Sequence, residues 1–344
     1  MQPRRLPDLA AWLPTFDAVA DATLGKIKRP LPDLVREVSK SYTTERGSIA
    51  TASSRDALQA RFRFFLARDV AKALGPLDEL ARAGGLPDPD VPWRILDLGA
   101  GLGTTSLGAA FVAGPEAHLK IDAVDLDAVA LRGFEALAAR GSELGLARMD
   151  VRTHTLDLRR APEGAYDLIL VGLALNEVTR HDTLLDSWKA RLRPDGSVVI
   201  LEPALREVTQ RLMALRDDAV SSGWTVFSPC THAEPCPMRQ SPRDWCHEEI
   251  RMDLPKSLGA TARAAGLRDH RLTYAALVLR RDGKQLADRS WARVVSAPLV
   301  SKGKRELVLC DHAGLAKTRR LDRHRSDANA PWSEAARGDL LRLP

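Results

Sequence analysis

A doubly wound α/β fold built on a parallel sheet is predicted here from three observations. Strand-like and helical segments alternate from Trp93 onward. A glycine-rich turn, LDLGAGLGTTS, joins the first of those strands to its helix, and an acid, Asp125, closes the second strand. Strands separated by helices need right-handed crossovers and so favour a parallel sheet, and a glycine turn between the first strand and helix is where such sheets admit a ligand. The 344 residues, 44% hydrophobic and 28% charged, suffice for one large core with smaller appendages and argue against wholesale disorder.

Residues 1–90 carry helical patterns only. Ser54 is placed to cap a helix through ALQARFRFFLARDVAKALGPLDELARA, which Gly84 and Gly85 end, and Leu58, Phe62, Phe65, Leu66, Val70 and Leu74 recur at helical spacing as its buried face. Arg61, Arg63 and Arg68 on that helix are candidates to touch a polyanion, with a solvated surface as the plainer reading. The core spans 91–225: strands WRILDL, LKIDAVD, MDVRTHTLDL, YDLILVGLAL and GSVVILEP, interleaved with helices, lead into the helix ALREVTQRLMALRDDAVSSG. A cysteine-rich insertion follows at 226–250, and 251–285 completes the core with helix SLGATARAAG and strand LTYAALVLRR. Residues 286–344 form a small basic β-unit, WARVVSAPLV and RELVLC about the turn SKGK, with a polar tail from Thr318 expected to be partly disordered.

The glycine turn places Asp97, Gly99, Gly101 and Gly103 at the strand-to-helix junction. The dinucleotide pattern G-x-G-x-x-G fails because its last position is Thr104. D-x-G-x-G-x-G resembles instead the first motif of class I (Rossmann-like) S-adenosylmethionine (SAM) methyltransferases. By that resemblance the glycines admit the methionine portion, Asp97 lies near its amino group and Asp125 takes the ribose hydroxyls, with Asp157 a weaker candidate for the adenine. A dinucleotide fold with an incidental acid is the competing reading. Methyl transfer needs in-line positioning more than a special catalytic group. After the fourth strand, in GLALNEVTRHD, Asn176 and Glu177 are the candidates, without the Pro-Pro-aromatic run of base-nitrogen methylases.

Three of the four cysteines, Cys230, Cys236 and Cys246, fall within FSPCTHAEPCPMRQSPRDWCHE, and Cys310 lies downstream. Four thiolates suit one four-coordinate centre, an iron–sulfur cluster or a zinc ion, and the spacing C-x5-C-x9-C fits no paired-knuckle zinc finger. Prolines beside the cysteines keep the loop irregular, which favours the cluster. His232 and His247 are candidate substitutes or supporting partners. A nucleophilic cysteine beside proline, and inert buried thiols, are the weaker readings. No apolar run approaches the roughly 18 residues of a membrane span, and the N-terminus lacks a secretory core, so a cytoplasmic protein of bacterial type is expected. From Lys256 onward 19 Lys or Arg face 9 Asp or Glu, a balance of +10 against +6 for the whole chain, so residues 1–255 carry −4. That asymmetry suggests a polyanionic partner, RNA first.

From about Phe64 onward the chain resembles the methyltransferase-like assembly factors of the mitochondrial small ribosomal subunit and their bacterial relatives. The resemblance rests on FFLARDVAKALGPLDEL, ILDLGAGLGTTS, ILEPALREVTQRLMALRD, PCTHAEPCP, DWCHEE and LVLCDHAG. It implies a [4Fe–4S] cluster on Cys230, Cys236, Cys246 and Cys310, SAM in the core, and small-subunit rRNA or a precursor of the subunit as partner. Two other readings stay open: a non-catalytic assembly factor, and a small-molecule methyltransferase with a structural zinc.

Overall fold

A computed structural model of the chain describes residues 6–44, 54–175, 182–241 and 243–343. The first helix, α1 (Leu9–Leu24), begins where the Asp8 carboxylate accepts the backbone N–H groups of Ala10 and Ala11, and it buries Trp12, Phe16 and Val19. After α2 (Leu31–Thr44), Ser54 caps α3 (Arg55–Ala60) by accepting from the Ala57 N–H at 3.1 Å. The helix continues through a π-helical turn, Arg61–Leu66, into α4 (Ala67–Arg82). Leu58, Phe62, Leu66, Val70 and Leu74 are buried as expected. Phe65 is not: the wider π turn rotates the apolar stripe, so Phe64 takes the buried place and Phe65 stays half-buried, edge-on to Phe64 and Tyr42.

The chain divides into two compact units, Met1–Leu201 with Ile250–Leu272, and Glu202–Glu249 with Thr273–Pro344. In the first, β1 (Trp93–Leu98), α5 (Thr104–Ala113), β2 (His118–Asp125), α6 (Ala128–Ala138), β3 (Arg148–Thr155), β4 (Tyr166–Gly172), α7 (Asp182–Arg191) and β5 (Leu192–Pro203) alternate. The strands lie in the order β3-β2-β1-β4-β5, and each neighbouring pair is parallel. This is the class I methyltransferase-like arrangement, and its order reverses between β1 and β4, the point where such sheets open a crevice for a ligand. β1 buries five of its six residues, as a strand covered on both faces must.

Glycines set how closely the helices of this unit pack. A methyl group on Gly108 of α5 would meet Ala73 of α4 at 2.7 Å, and one on Gly103 would overlap the buried Phe134 ring of α6. Gly103 also holds φ 76°, the left-handed region. Gly103→Ala is therefore expected to cost about 3 kcal/mol, combining backbone strain with an overfilled core. Gly145→Ala is the control: its φ is 66° but open space surrounds it, so only the strain of about 1 kcal/mol applies. Equal losses in thermal unfolding of the two variants would refute the packing argument.

The second unit contains α8 (Arg206–Ser221), which runs into β6 (Thr225–Ser228), and the cysteine segment starts directly after β6. The short β7 (Glu248–Arg251) ends that segment, and α9 (Lys256–Ala264) returns to the first unit, where Arg36 donates to the Ala264 carbonyl at 2.6 Å. Most of β8 (Arg271–Arg280) belongs to the second unit, antiparallel to β6. A separate five-stranded antiparallel sheet follows: β9 (Trp291–Val294), β10 (Leu299–Ser301), β11 (Lys304–Asp311), β12 (Gly314–Leu321) and β13 (Leu340–Arg342).

The expectation of a partly disordered tail is corrected. Residues 314–321 pair with β11 along its whole length, α10 (Ala330–Glu334) follows, and β13 closes on β9. Ala335 and Leu341 enter a core with Val294, Leu307 and Leu309, and Trp332 packs against it. Composition hid this because β12 takes its order from backbone pairing, which polar side chains permit as well as apolar ones. Among the described residues no helix is long and apolar enough to cross a membrane.

Candidate functional site

The glycine turn is pinned to the end of β2. Gly99 and Ala100 both donate to the Val124 carbonyl, at 2.8 and 3.0 Å, and Gly101 N–H donates to Asp125 Oδ2 at 2.8 Å. The other Asp125 oxygen accepts from Asp127 N–H at 2.8 Å, while Asp127 caps α6. The resemblance joined Asp97, Gly99, Gly101, Gly103 and Asp125, and the structure places them at the ends of β1 and β2, with Gly101 bonded to Asp125.

Asp97 is the most informative of them. It is 1% exposed; its Oδ2 accepts from Ser106 Oγ–H at 2.6 Å, and its Oδ1 is buried without a hydrogen-bond partner among the described residues. Burial pushes its pKa up to about 7, against the Ser106 hydrogen bond and with help from the charge of Asp125. A half-satisfied buried carboxylate has the capacity to accept one further charge-assisted hydrogen bond.

Asp157 stands differently. Its Oδ1 accepts from the backbone N–H and Nε of Arg159 at 2.9 and 2.8 Å, and its Oδ2 from Nη2 at 2.6 Å. Those hydrogen bonds pull its pKa down to about 2, so its charge is committed to Arg159. Asn176 and Glu177 lie outside the described residues. Just before them, Leu173 holds φ 61° at the end of β4, a strained conformation of the kind that clusters at ligand sites.

The three arginines of the N-terminal helix divide. Arg63 is an internal strut, 9% exposed in its side chain and paired with Asp17 at 2.8 Å and Asp21 at 2.5 Å. Arg68 lies over the Phe64 ring, 5.8 Å from its centre. Arg61 reaches the glycine turn: a Cβ on Gly101 would lie 2.8 Å from its Nη2, and its Nη1 is 3.7 Å from Asp127. The sequence marked Arg61 only as a surface cation, and no local signal placed it at the crevice.

All four cysteines, free thiols in the structure, line one cavity of the second unit with about 50 Å³ of room for the centres of water-sized molecules. That is several times what one water needs. The segment carrying three of them starts at the cis peptide Ser228–Pro229 and is tied down by buried arginines. Arg293 of β9 donates to the carbonyls of Pro229 at 2.8 Å and Gly338 at 2.6 Å. Arg216 of α8 donates to those of His232 at 2.5 Å and Glu234 at 2.6 Å. Asp217 accepts from Cys236 N–H at 3.1 Å and from Arg239 at 2.7 Å. Nothing in the sequence spacing marked Arg216 and Asp217 as the loop's anchor.

Burial raises the thiol pKa of Cys236, carries Cys246 well above the ordinary value and pushes Cys310 up to about 12; the neighbouring thiols add to each effect. His232, 3% exposed, has its Nε2 3.7 Å from Cys310 Sγ, and burial lowers its pKa. His247 stacks on Trp245 with ring centres 5.8 Å apart.

Among the described residues no three His, Cys, Asp or Glu side chains converge where one ion would be held. Tetrahedral zinc with sulfur at about 2.3 Å requires thiolates roughly 3.8 Å apart. The four thiols line the cavity without that convergence. The donor set suits an iron–sulfur cluster, since thiolates are the ligands of such clusters.

Residues 75–342 match the family model described as Rsm22, mitochondrial small ribosomal subunit Rsm22. No curated protein matches the chain. Solved structures similar to it include a SAM-dependent methyltransferase from Leishmania major, at 16% identity over 77% of this chain and 91% of that one with a TM-score of 0.39. A methyltransferase from Pyrococcus furiosus matches at 12% identity, 61% and 82% coverage and a TM-score of 0.36.

Proposed function

The chain belongs to the Rsm22 family, and on that premise we propose that it binds SAM in the first unit, carries a [4Fe–4S] cluster in the second and acts on small-subunit rRNA during maturation of the subunit. The observation that carries this reading is the cavity that collects all four cysteines of the chain. Three cysteines from one loop and one from a distant strand line this cavity, which supports reading them as a ligand set.

Within the first unit, Asp97 would receive the methionine ammonium, the glycine turn would admit the rest of that portion, and Asp125 would take the ribose hydroxyls. Bound SAM supplies an electrophilic methyl group, and the chain's contribution is to orient it and keep water away. Asp157, already committed to Arg159, would contribute to the adenine pocket through its backbone setting rather than as a free acceptor. In the second unit the four thiolates would hold the cluster, which ties Cys310 of β11 to the loop carrying the other three. Lys302, Lys317 and Arg319 are exposed on the sheet that continues from Cys310 and would supply phosphate contacts.

Two measurements test the proposal. Anaerobically purified protein should contain four irons and four acid-labile sulfides with a broad brown absorbance; one zinc and no sulfide would overturn the cluster. Metal-loaded protein should bind small-subunit rRNA with an affinity that drops steeply between low and physiological salt, about tenfold or more for several phosphate contacts. Salt-independent binding would argue against the RNA role.

A second reading, a maturation factor that binds SAM without turning it over, is favoured by one observation. The segment after β4 carries Asn176 and Glu177 without a recognisable methylase signature. Transfer of labelled methyl groups from SAM to isolated small subunits separates the two.

A further inference from the structure

We propose that Arg216 is the counter-charge that lets four thiolates share the second unit's cavity, and so is the positioning residue for the occupant of that site. The proposal rests on the four-thiolate reading. Four thiolates around Zn²⁺ or around a [4Fe–4S]²⁺ core leave the same net charge of −2, so the argument holds for either occupant.

Among the described residues, Arg216 is the one Lys or Arg that lines the cavity with Cys230, Cys236, Cys246 and Cys310. It is 3% exposed, so the surrounding water that would otherwise screen a doubly negative centre is absent. A buried arginine is held only where its donors are spent and its charge is matched. Two of its nitrogens reach the His232 and Glu234 carbonyls, which fixes the side chain, but carbonyls carry no formal charge. Among the described residues its acidic partner is Asp217, at 2.8 Å, and Asp217 is itself shared with Arg239 at 2.7 Å. Arg216 Nε is buried with no hydrogen-bond partner. Two guanidinium groups thus face one carboxylate, leaving positive charge over beside the sulfurs. Glu248 also lines the cavity.

The test compares wild type, Arg216→Gln and Arg216→Lys as full-length protein. Each is loaded either with Zn²⁺ alone or, anaerobically, with ferrous iron and sulfide, and each is also studied metal-free. Arg216→Gln should bind Zn²⁺ at least about tenfold more weakly, and its gain in unfolding midpoint on loading should shrink. Arg216→Lys, which keeps the charge and loses the fork, should recover most of that gain. Arg216 also anchors the loop, so the readout is the difference between loaded and metal-free protein rather than stability itself. A purely structural role would lower both midpoints equally. An unchanged loading gain in Arg216→Gln, or no recovery in Arg216→Lys, would overturn the counter-charge role while leaving the four-thiolate site intact. A wild-type protein that takes up neither metal would overturn the site itself.

Discussion

Asp97→Asn is expected to weaken SAM binding by ten- to a hundredfold at pH 7.5 and to abolish the acid limb of its pH dependence. One Asp97 oxygen is satisfied by Ser106 at 2.6 Å and the other has no partner among the described residues. An ammonium donor there would gain a charge-assisted hydrogen bond, worth roughly 1.5–3 kcal/mol, which is the stated factor in affinity. Burial lifts the Asp97 pKa to about 7, so below that pH the empty site holds a neutral acid that must first lose its proton. Affinity should therefore fall by up to about tenfold per pH unit as pH drops below 7. The α-amino group of the ligand loses its own proton near 8, so wild-type affinity should peak between about 7 and 8. The asparagine variant keeps the alkaline limb alone. Calorimetric titrations from pH 5.5 to 9 would show it, and matching pH profiles for the two proteins would remove Asp97 from the site.

The same carboxyl group has an opposite effect on the empty fold. In the unfolded chain it loses its proton near pH 4, while in the folded chain it keeps it to about 7. The folded state binds more protons across that window, so this group's contribution to stability falls as pH rises from 4 to 7. Above pH 7 the cost is roughly 4 kcal/mol. A residue that destabilises the empty protein at working pH and is relieved by a cationic ligand is better explained by binding than by folding.

How far the residues announced this architecture depends on the range of the interaction. β1 to β5 and their helices were legible because each strand is a buried run bounded by turn residues, a pattern local enough for one sequence to show. The glycine turn and Asp125 were legible because a turn of positive φ needs glycine, and an acid at a strand end is a local cue. Phe64 exchanging places with Phe65 was not, since a π turn depends on how the helix packs. Arg61 at the glycine turn and Arg216 at the thiols were missed for one reason. Each acts across the fold, and in sequence an arginine on a helix looks the same whether it faces solvent or a buried charge. The tail from Thr318 misled in the other direction, because β12 is held by its pairing with β11 rather than by its own side chains.

Replacing any one of Cys230, Cys236, Cys246 or Cys310 with serine is expected to strip the proposed metal and lower the unfolding midpoint of the loaded protein by about 4 °C, equivalent to about 3 kcal/mol. The metal-free protein should scarcely register the change. The reasoning turns on what the thiols are without a cation. Burial and mutual proximity raise the pKa of Cys236, Cys246 and Cys310, so in the metal-free protein they are neutral, weakly bonded groups that serine replaces at small cost. With metal they are charged ligands, and a missing one leaves the centre both under-coordinated and open. Cys310→Ser adds a distinct consequence, because it alone comes from β11 while the other three share one loop. Its loss should free the small β-sheet from that loop and expose the 286–344 region to protease in loaded protein, whereas Cys236→Ser should expose the loop first. Limited proteolysis with mass mapping distinguishes the two patterns. Unchanged protease resistance in Cys310→Ser, with metal lost, would show that the sheet is held by its own core of Val294, Leu307, Leu309 and Leu341 and owes nothing to the metal.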